Sequence, residues 1–504
     1  MNKKQNNRTH FNLKTECMSA RIIALCLVIV FMLSGCQIAS NNRTLDASKD
    51  KRLAETNQSE TKQSSDHSKS DGATSTSNIS KNKQLDISNR TIYEVNLRQY
   101  TQEGTFEAFM EHIPRLDDMG VGIVWFMPIH PISVVQRKGT LGSYYSVADY
   151  KGINPEFGTA EDFRKVVEEC HKRDMLVVLD WVANHTGWDN PWIVEHPEWY
   201  TQDNGQIIHP QGTDWTDVAD LDFTSVDMRQ AMIDSMVYWV KEFDVDGFRC
   251  DVAGSVPTDF WEDAVFQLNQ VKSVFMLAED GGQFGLLKVG FQANYNWELL
   301  GNMNELASGK ISPKAFKLHL VSHLKRYPES TYPLNFITNH DENSWNKTEY
   351  ERLGEARQLM SALTFTLPGL PLIYSGQEAG LDRALLFFEK DQIDWSNLNE
   401  QKVFKQLTLL KASNMALLHG NQAGSFDLLD NSNTNCITFY RENKEDRLLF
   451  IGNLSHETQE MTMTSEELFS GIDYITQQKI ELTNPTEKSL TLTLQPWEYI
   501  ILVP

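Results

Sequence analysis

The chain has 504 residues, 40% of them hydrophobic and 10% aromatic, and a formal net charge of −22 at pH 7. Such a length exceeds one ordinary domain and suits one large barrel with an appendage, with enough apolar content for a sizeable core. The acidic balance repels nucleic acid and anionic surfaces, so no nucleic-acid partner is expected, whereas a neutral polymer would be indifferent to it.

Residues 1–35 read as a targeting segment that stands outside the fold. Lys3, Lys4, Arg8, Lys14 and Arg21 make a basic leader before the apolar run Ile22 to Leu33. That run is too short for a spanning helix, which needs about 20 residues. It ends in Leu33-Ser34-Gly35-Cys36, which resembles a bacterial lipoprotein signal and implies lipid on Cys36. The expected product is exported and held at a membrane through that lipid, on the cell surface or in the periplasm. Residues 36–87 are Ser, Asn, Lys, Asp and Thr almost throughout; a segment that cannot bury apolar surface reads as a disordered tether. Cys170, Cys250 and Cys436 remain, an odd number without metal-type spacing, so neither a disulfide framework nor a zinc site is expected.

From Thr91 onward short apolar runs alternate with amphipathic stretches. Gly122–Met127, Met175–Leu179, Gly247–Arg249, Ser273–Ala278, Asn335–Ile337 and Leu372–Tyr374 read as strands. Phe163–Arg173 and Met228–Phe243 carry helical spacing. Apolar strands alternating with helices predict a parallel sheet buried on both faces, and units of this kind over residues 88–418 suit a (β/α)8 barrel, an α/β fold. No glycine-rich dinucleotide fingerprint follows the first strand, which argues against an open doubly wound sheet. The alternation lapses over 185–222, a stretch rich in Trp, Pro, Asp and Gly that reads as an inserted excursion after the third strand. Residues 419–504 change to short alternating strands, such as Cys436–Tyr440 and Leu448–Ile451, and predict a C-terminal antiparallel β-sandwich domain.

Four polar clusters close apolar strands: Asp180 to His185, Asp246 to Asp251, Glu279-Asp280 and Thr338 to Asp341. In a barrel the C-terminal ends of all strands converge on one face, so the clusters would share one cleft. Side chains alternate along a strand, which places Arg249 and Asp251 on the same side. An arginine beside a carboxylate keeps it ionised and suits a nucleophile; a carboxyl after a fully apolar run, as at Glu279, is desolvated and suits a general acid.

In this order the clusters resemble the four short motifs of the α-amylase family of glycoside hydrolases. Ala219 to Asp222 is similar to a fifth motif, and Gly142 to Thr159 to the segment before the second barrel helix. The resemblance implies Asp251 as nucleophile, Glu279 as acid/base and Asp341 as a third carboxylate on the distorted sugar. It implies that Arg249, His185 and His340 contact that sugar or orient the nucleophile, that Tyr145 stacks on it with Tyr144 as competitor, and that Asp180 supports the barrel mouth. It offers Asn184 as a calcium ligand, although one oxygen is few for an ion that takes about 6–8, so no required cofactor is expected and calcium stays open. The implied activity is retaining cleavage of α-1,4 bonds in starch, maltodextrin or a related α-glucan. A 4-α-glucanotransferase, an α-1,6 or maltodextrin-specific hydrolase, and a non-catalytic glucan-binding lipoprotein are the alternatives. Two departures bear on these. Val252-Ala253-Gly254-Ser255 stands where many α-amylases carry a Lys-His pair after the nucleophile, and Asp280 follows the acid where a small or apolar residue is usual. They leave bond specificity and chain-length preference open.

Overall fold

Eight short apolar runs pair as parallel strands and close on themselves in chain order: β1 (Ile92–Val95), β2 (Ile123–Phe126), β3 (Leu176–Trp181), β4 (Gly247–Cys250), β5 (Phe275–Ala278), β6 (Ala293–Tyr295), β7 (Tyr332–Asn335) and β8 (Leu370–Tyr374). The computed structural model describes residues 85–282 and 284–504; the expected signal segment 1–35, Cys36 and the tether up to residue 84 lie outside the described residues. Alternate side chains divide between two cores. Ile92, Ile123, Trp125, Leu176, Val178, Leu277 and Leu334 fill the barrel interior, while Val124, Phe126, Val177, Leu179, Phe248 and Met276 meet the surrounding helices. Burial on both faces is why these strands read as continuous apolar runs.

The helix α1 (Ala160–His171) starts at a capping box in which Thr159 and Asp162 satisfy each other's backbone N–H groups, and it buries Phe163, Val166, Val167 and Cys170. The predicted span of Phe163–Arg173 therefore starts three residues late and overruns by two. The helix α2 (Val226–Phe243) is capped by Ser225 and ends where Asp244 takes a left-handed φ of 57°.

Two strand readings need correction. Ala293–Tyr295 was not expected as a strand, because only a three-residue 3-10 turn, Leu286–Lys288, lies between β5 and β6 and no helical periodicity marks the unit. The strand expected at Asn335–Ile337 lies instead at Tyr332–Asn335. Pro333 supplies no ladder donor and disguises the true start, and the apolar Phe336 and Ile337 after it imitate a continuation.

After β3 the chain makes the expected excursion. It is anchored by an antiparallel ladder in which His185 faces Asp220 and Gly187 faces Val218. Beyond the barrel, β9 (Cys436–Glu442), β10 (Arg447–Asn453) and β13 (Tyr499–Val503) form the centre of a six-stranded antiparallel sheet, against which β11 (Gln459–Thr464) and β12 (Ser489–Leu494) pack as a pair. One face of the large sheet, with Cys436, Tyr440, Leu449 and Ile451, meets Met461, Met463, Leu490 and Leu494. The opposite face, with Ile437, Phe439, Leu448, Phe450 and Ile501, belongs to the main core around the barrel. The thiols of Cys170, Cys250 and Cys436 are free and buried.

Candidate active site

The register of the barrel assembles the site. Asp180 on β3 lies beside Arg249 on β4, and Cys250 lies beside Ala278 on β5, so the next residues, Asp251 and Glu279, emerge together at the C-terminal mouth. Gly247 permits this close pairing: a Cβ there would sit 1.9 Å from the Phe275 carbonyl oxygen. Arg249 is fully buried at the centre. Its Nη1 donates to Asp180 (2.9 Å) and Asp251 (2.8 Å), and its Nε donates to the Tyr295 hydroxyl at 3.1 Å. Its Nη2 stands 2.8 Å from Glu279 Oε1, an ion pair too poorly angled to count as a hydrogen bond. One guanidinium thus holds three carboxylates, and its planar fork sets their relative positions.

Glu279 has a second tie, accepting from the Val252 backbone N–H at 2.8 Å. Val252 pays for that aim with a left-handed backbone, φ 37° and ψ 43°, which β-branched residues rarely adopt. On the other side of the mouth His340 donates from Nδ1 to Glu94 in a short hydrogen bond. Its Nε2 lies 2.7 Å from the Tyr145 hydroxyl and 3.3 Å from Asp341 Oδ2. Tyr145 passes the chain on by donating to Asp180 Oδ2 at 3.1 Å, and its ring stacks on the imidazole at 5.5 Å.

Environment separates the carboxyls. Burial pushes Glu279 up to about 7, with Arg249 opposing and Asp251 and Asp341 adding to the rise. Burial also raises Asp251, to about 6, against the pull of Arg249. Asp341 goes the other way: burial alone would raise it, but His340 and Arg249 together hold it below the ordinary aspartate value. Burial would also neutralise His340, yet Asp341 and Glu94 outweigh it and keep the imidazolium charged. His185, buried without a carboxylate, is lowered to about 4 and is neutral. A protonatable carboxyl, an ionised neighbour and a third fixed anion in one cleft can donate a proton, attack an electrophilic carbon and stabilise positive charge.

Comparison with known proteins agrees with this chemistry. The family description "Alpha amylase, catalytic domain" matches residues 51–215. The chain is 28% identical over 331 residues to the alpha-amylase MalA of Haloarcula japonica, covering 61% of this chain and 46% of that protein. It is 26% identical to a maltogenic alpha-amylase of Bacillus acidopullulyticus, covering 72% of this chain and 64% of the relative. The match thus spans about half to two thirds of these relatives' own lengths. Among solved structures, the noncanonic maltogenic alpha-amylase AmyB of Thermotoga neapolitana superposes with a TM-score of 0.74 at 28% identity, over 83% of this chain and 99% of that one. An alpha-amylase of Lactobacillus plantarum gives the same TM-score and identity over 82% of this chain. The chain thus resembles the α-amylase family of glycoside hydrolases in sequence and in fold.

Within this site, the sequence-predicted Asp180, Arg249, Asp251, Glu279, His340, Asp341 and Tyr145 converge on one cleft. Tyr144 does not join them: it is 1% exposed, its hydroxyl donates to Asn96, and Arg98 covers its ring. His185 lines the excursion side, 5.7 Å from the Trp215 ring. Asn184 lies beside His185, at the start of the excursion. Its Nδ2 contacts His185 Nδ1 at 3.2 Å and its backbone carbonyl accepts from Leu221. Asp189 accepts from Val134 N–H, and Asp217 pairs with Lys138 at 3.1 Å. Among the described residues no group of three or more His, Cys, Asp or Glu could hold a metal.

Three contributors escaped sequence reading. Glu94 sits in the ordinary-looking strand run Ile92–Val95, and Tyr295 in the overlooked β6. Trp345 stands four residues beyond Asp341, where its indole helps to hold the Asp341 carboxyl below the ordinary aspartate value. The alternation of side chains along β1 could have flagged Glu94, since a charge on the interior face of a barrel strand demands a partner.

Proposed function

We propose that the chain is a retaining glycoside hydrolase that cleaves α-1,4-glucosidic bonds in starch, maltodextrin or a related α-glucan. The observation that carries the reading is the single Arg249 guanidinium gripping Asp251 and Glu279 through different nitrogens. Retaining enzymes set their two carboxyls about 5–5.5 Å apart and inverting ones about 6.5–9.5 Å, and a shared guanidinium favours the shorter spacing. Asp251 attacks the anomeric carbon while Glu279 gives its proton to the departing glycosidic oxygen. A glycosyl ester on Asp251 results. Glu279, now ionised, takes a proton from water, the hydroxide oxygen bonds to the anomeric carbon, and the Asp251 carboxylate leaves. Asp341 stabilises the positive charge of both transition states, and Arg249 keeps Asp251 ionised for attack. The named relatives, alpha-amylases and maltogenic amylases, support the substrate class.

Product analysis on starch, pullulan and maltoheptaose tests the reading, with Asp251→Asn as the control. The near-isosteric change is expected to keep the fold and to lower kcat by about a thousand-fold or more. Full turnover by the pure variant sinks the assignment of the nucleophile. Longer products than substrates would instead make the enzyme a glucanotransferase, and maltotriose from pullulan an α-1,6 hydrolase.

We further infer export and lipid anchoring at Cys36, supported by the basic leader, the apolar run and the Ser34-Gly35-Cys36 ending. Cys36→Ser should move the protein into the soluble fraction of cells, because a lipid chain supplies membrane affinity that the polar residues after it lack. A variant that stays with the membrane points to anchoring through Ile22 to Leu33.

A further inference from the structure

Trp345 closes the short helix that opens with His340 and Asp341. Its indole is 55% exposed, an unusual position for the largest apolar side chain. The ring is braced from behind, 5.3 Å from Phe387 and 5.8 Å from Phe388. Phe387 in turn lies nearly parallel to Tyr145, at 6.3 Å and 12°, so a wall of aromatic rings runs from Tyr145 out to the rim. The loop that carries the phenylalanines is tied to the helix by Asn343, which donates to the Arg383 carbonyl at 3.0 Å and accepts from Leu385 N–H at 2.8 Å. Gln99 also donates to the carbonyls of Leu386 and Glu389, and Leu141 N–H to that of Phe388. An exposed ring on so fixed a support is ready for a partner without the entropy of ordering it.

We propose that Trp345, backed by Phe387, is the platform for the second glucose unit on the non-reducing side of the cleaved bond. The ligand class follows from shape: a pyranose offers a flat face of C–H groups that an exposed indole can cover, with hydroxyls at its edge left to water. The side follows from the barrel order. Trp345 stands after β7, the phenylalanines after β8 and Tyr145 after β2, so the wall occupies the arc β7–β8–β1–β2. Glu279 stands across the mouth at the end of β5. The leaving chain must pass the acid that protonates its oxygen, so the sugars retained on Asp251 run the other way, over the wall.

This inference rests on the α-glucan reading, and two chromogenic substrates separate the fates of both. 4-Nitrophenyl α-glucoside places one glucose before the cleaved bond and 4-nitrophenyl α-maltoside places two, with the same leaving group. The wild-type enzyme is expected to prefer the maltoside in kcat/KM. Trp345→Ala should cut that preference by about ten-fold, the worth of one good ring contact. Trp345→Phe keeps a ring at the same place and should largely keep the preference. A wild-type enzyme indifferent to the second glucose, or a Trp345→Ala variant with an undiminished preference, overturns the platform while leaving the α-glucan reading in place. A wild-type enzyme that hydrolyses no α-glucoside or α-glucan fails the underlying reading and takes the platform with it. Unchanged melting temperatures check that the exposed site was altered without unfolding.

Discussion

At the scale of single residues the site works by giving chemically similar carboxyls different surroundings. Glu279 and Asp251 share Arg249, but burial lifts Glu279 to about 7 and Asp251 only to about 6, while His340 and Arg249 hold Asp341 low. With Asp251 as the proposed nucleophile and Glu279 as the proposed acid, the first must be ionised and the second protonated. Activity is therefore lost as pH falls through the Asp251 value and lost again as pH rises through the Glu279 value. A bell-shaped kcat/KM profile is expected, with limbs near 6 and 7 belonging to the coupled pair. Glu279→Gln should erase the alkaline limb on an aryl α-glycoside, whose good leaving group needs little acid help, and should lose far more activity on starch. Equal losses on both substrates, with the alkaline limb intact, would show that another group is the acid. Glu94 belongs to the same scale: it is 0% exposed and has one oxygen on His340, so it fixes the imidazolium that in turn faces Asp341.

The elements set which of these residues can meet. Parallel pairing of β3, β4 and β5 brings Asp180, Arg249, Asp251 and Glu279 to one level, and the strained turn at Val252 directs an N–H back at Glu279. The excursion after β3 is held by its own ladder and by side-chain pairs such as Asp217 with Lys138. Because Asp189 and Asp217 are held by separate partners, removal of calcium is expected to matter little to its stability. EDTA is expected to lower the melting temperature by only a few degrees, about what 1 kcal/mol does in a large domain. A fall of about fifteen degrees, reversed by Ca²⁺ and not by Mg²⁺, would make Asn184 part of a real site.

Over the whole molecule, the C-terminal domain is part of the barrel's cover. Phe450 is fully buried between Phe439 at 4.8 Å and Tyr499 at 6.1 Å, on the sheet face that joins the main core. Arg441, also buried, donates to the carbonyls of Thr366, Leu418 and Ser425 and so ties the sheet to the end of the barrel. Phe450→Ala should cost about 3–5 kcal/mol, read from the midpoint of denaturant unfolding, because it leaves a cavity between both units. A loss confined to the C-terminal sheet, with the barrel unfolding unchanged in a separate step, would show that the two do not share a core.

The barrel, the excursion, the C-terminal sheet and the three carboxylates were legible in the sequence because each rests on local information. A strand buried on both faces reads as an apolar run, and a charged residue directly after such a run stands at a mouth; Asp251 and Glu279 follow their strands in this way, whereas Asp341 lies in the short helix six residues after β7 ends. Weak local signals misled. β6 is three residues long with hardly a helix before it, and Pro333 disguised the start of β7. What tertiary structure alone decided is the company each carboxylate keeps. Glu94 and His340 stand 246 residues apart and meet because closing the barrel brings β1 and β7 to the two sides of β8. Tyr145, rather than Tyr144, is the ring of the site because the second loop turns one hydroxyl toward Asp180 and the other toward Asn96. Trp345 and Phe387 become one wall only when the loops after β7 and β8 are tied together by Asn343. Periodicity reports which face of an element is buried; which distant side chain waits on that face is set by ring closure and loop packing, which no local pattern encodes.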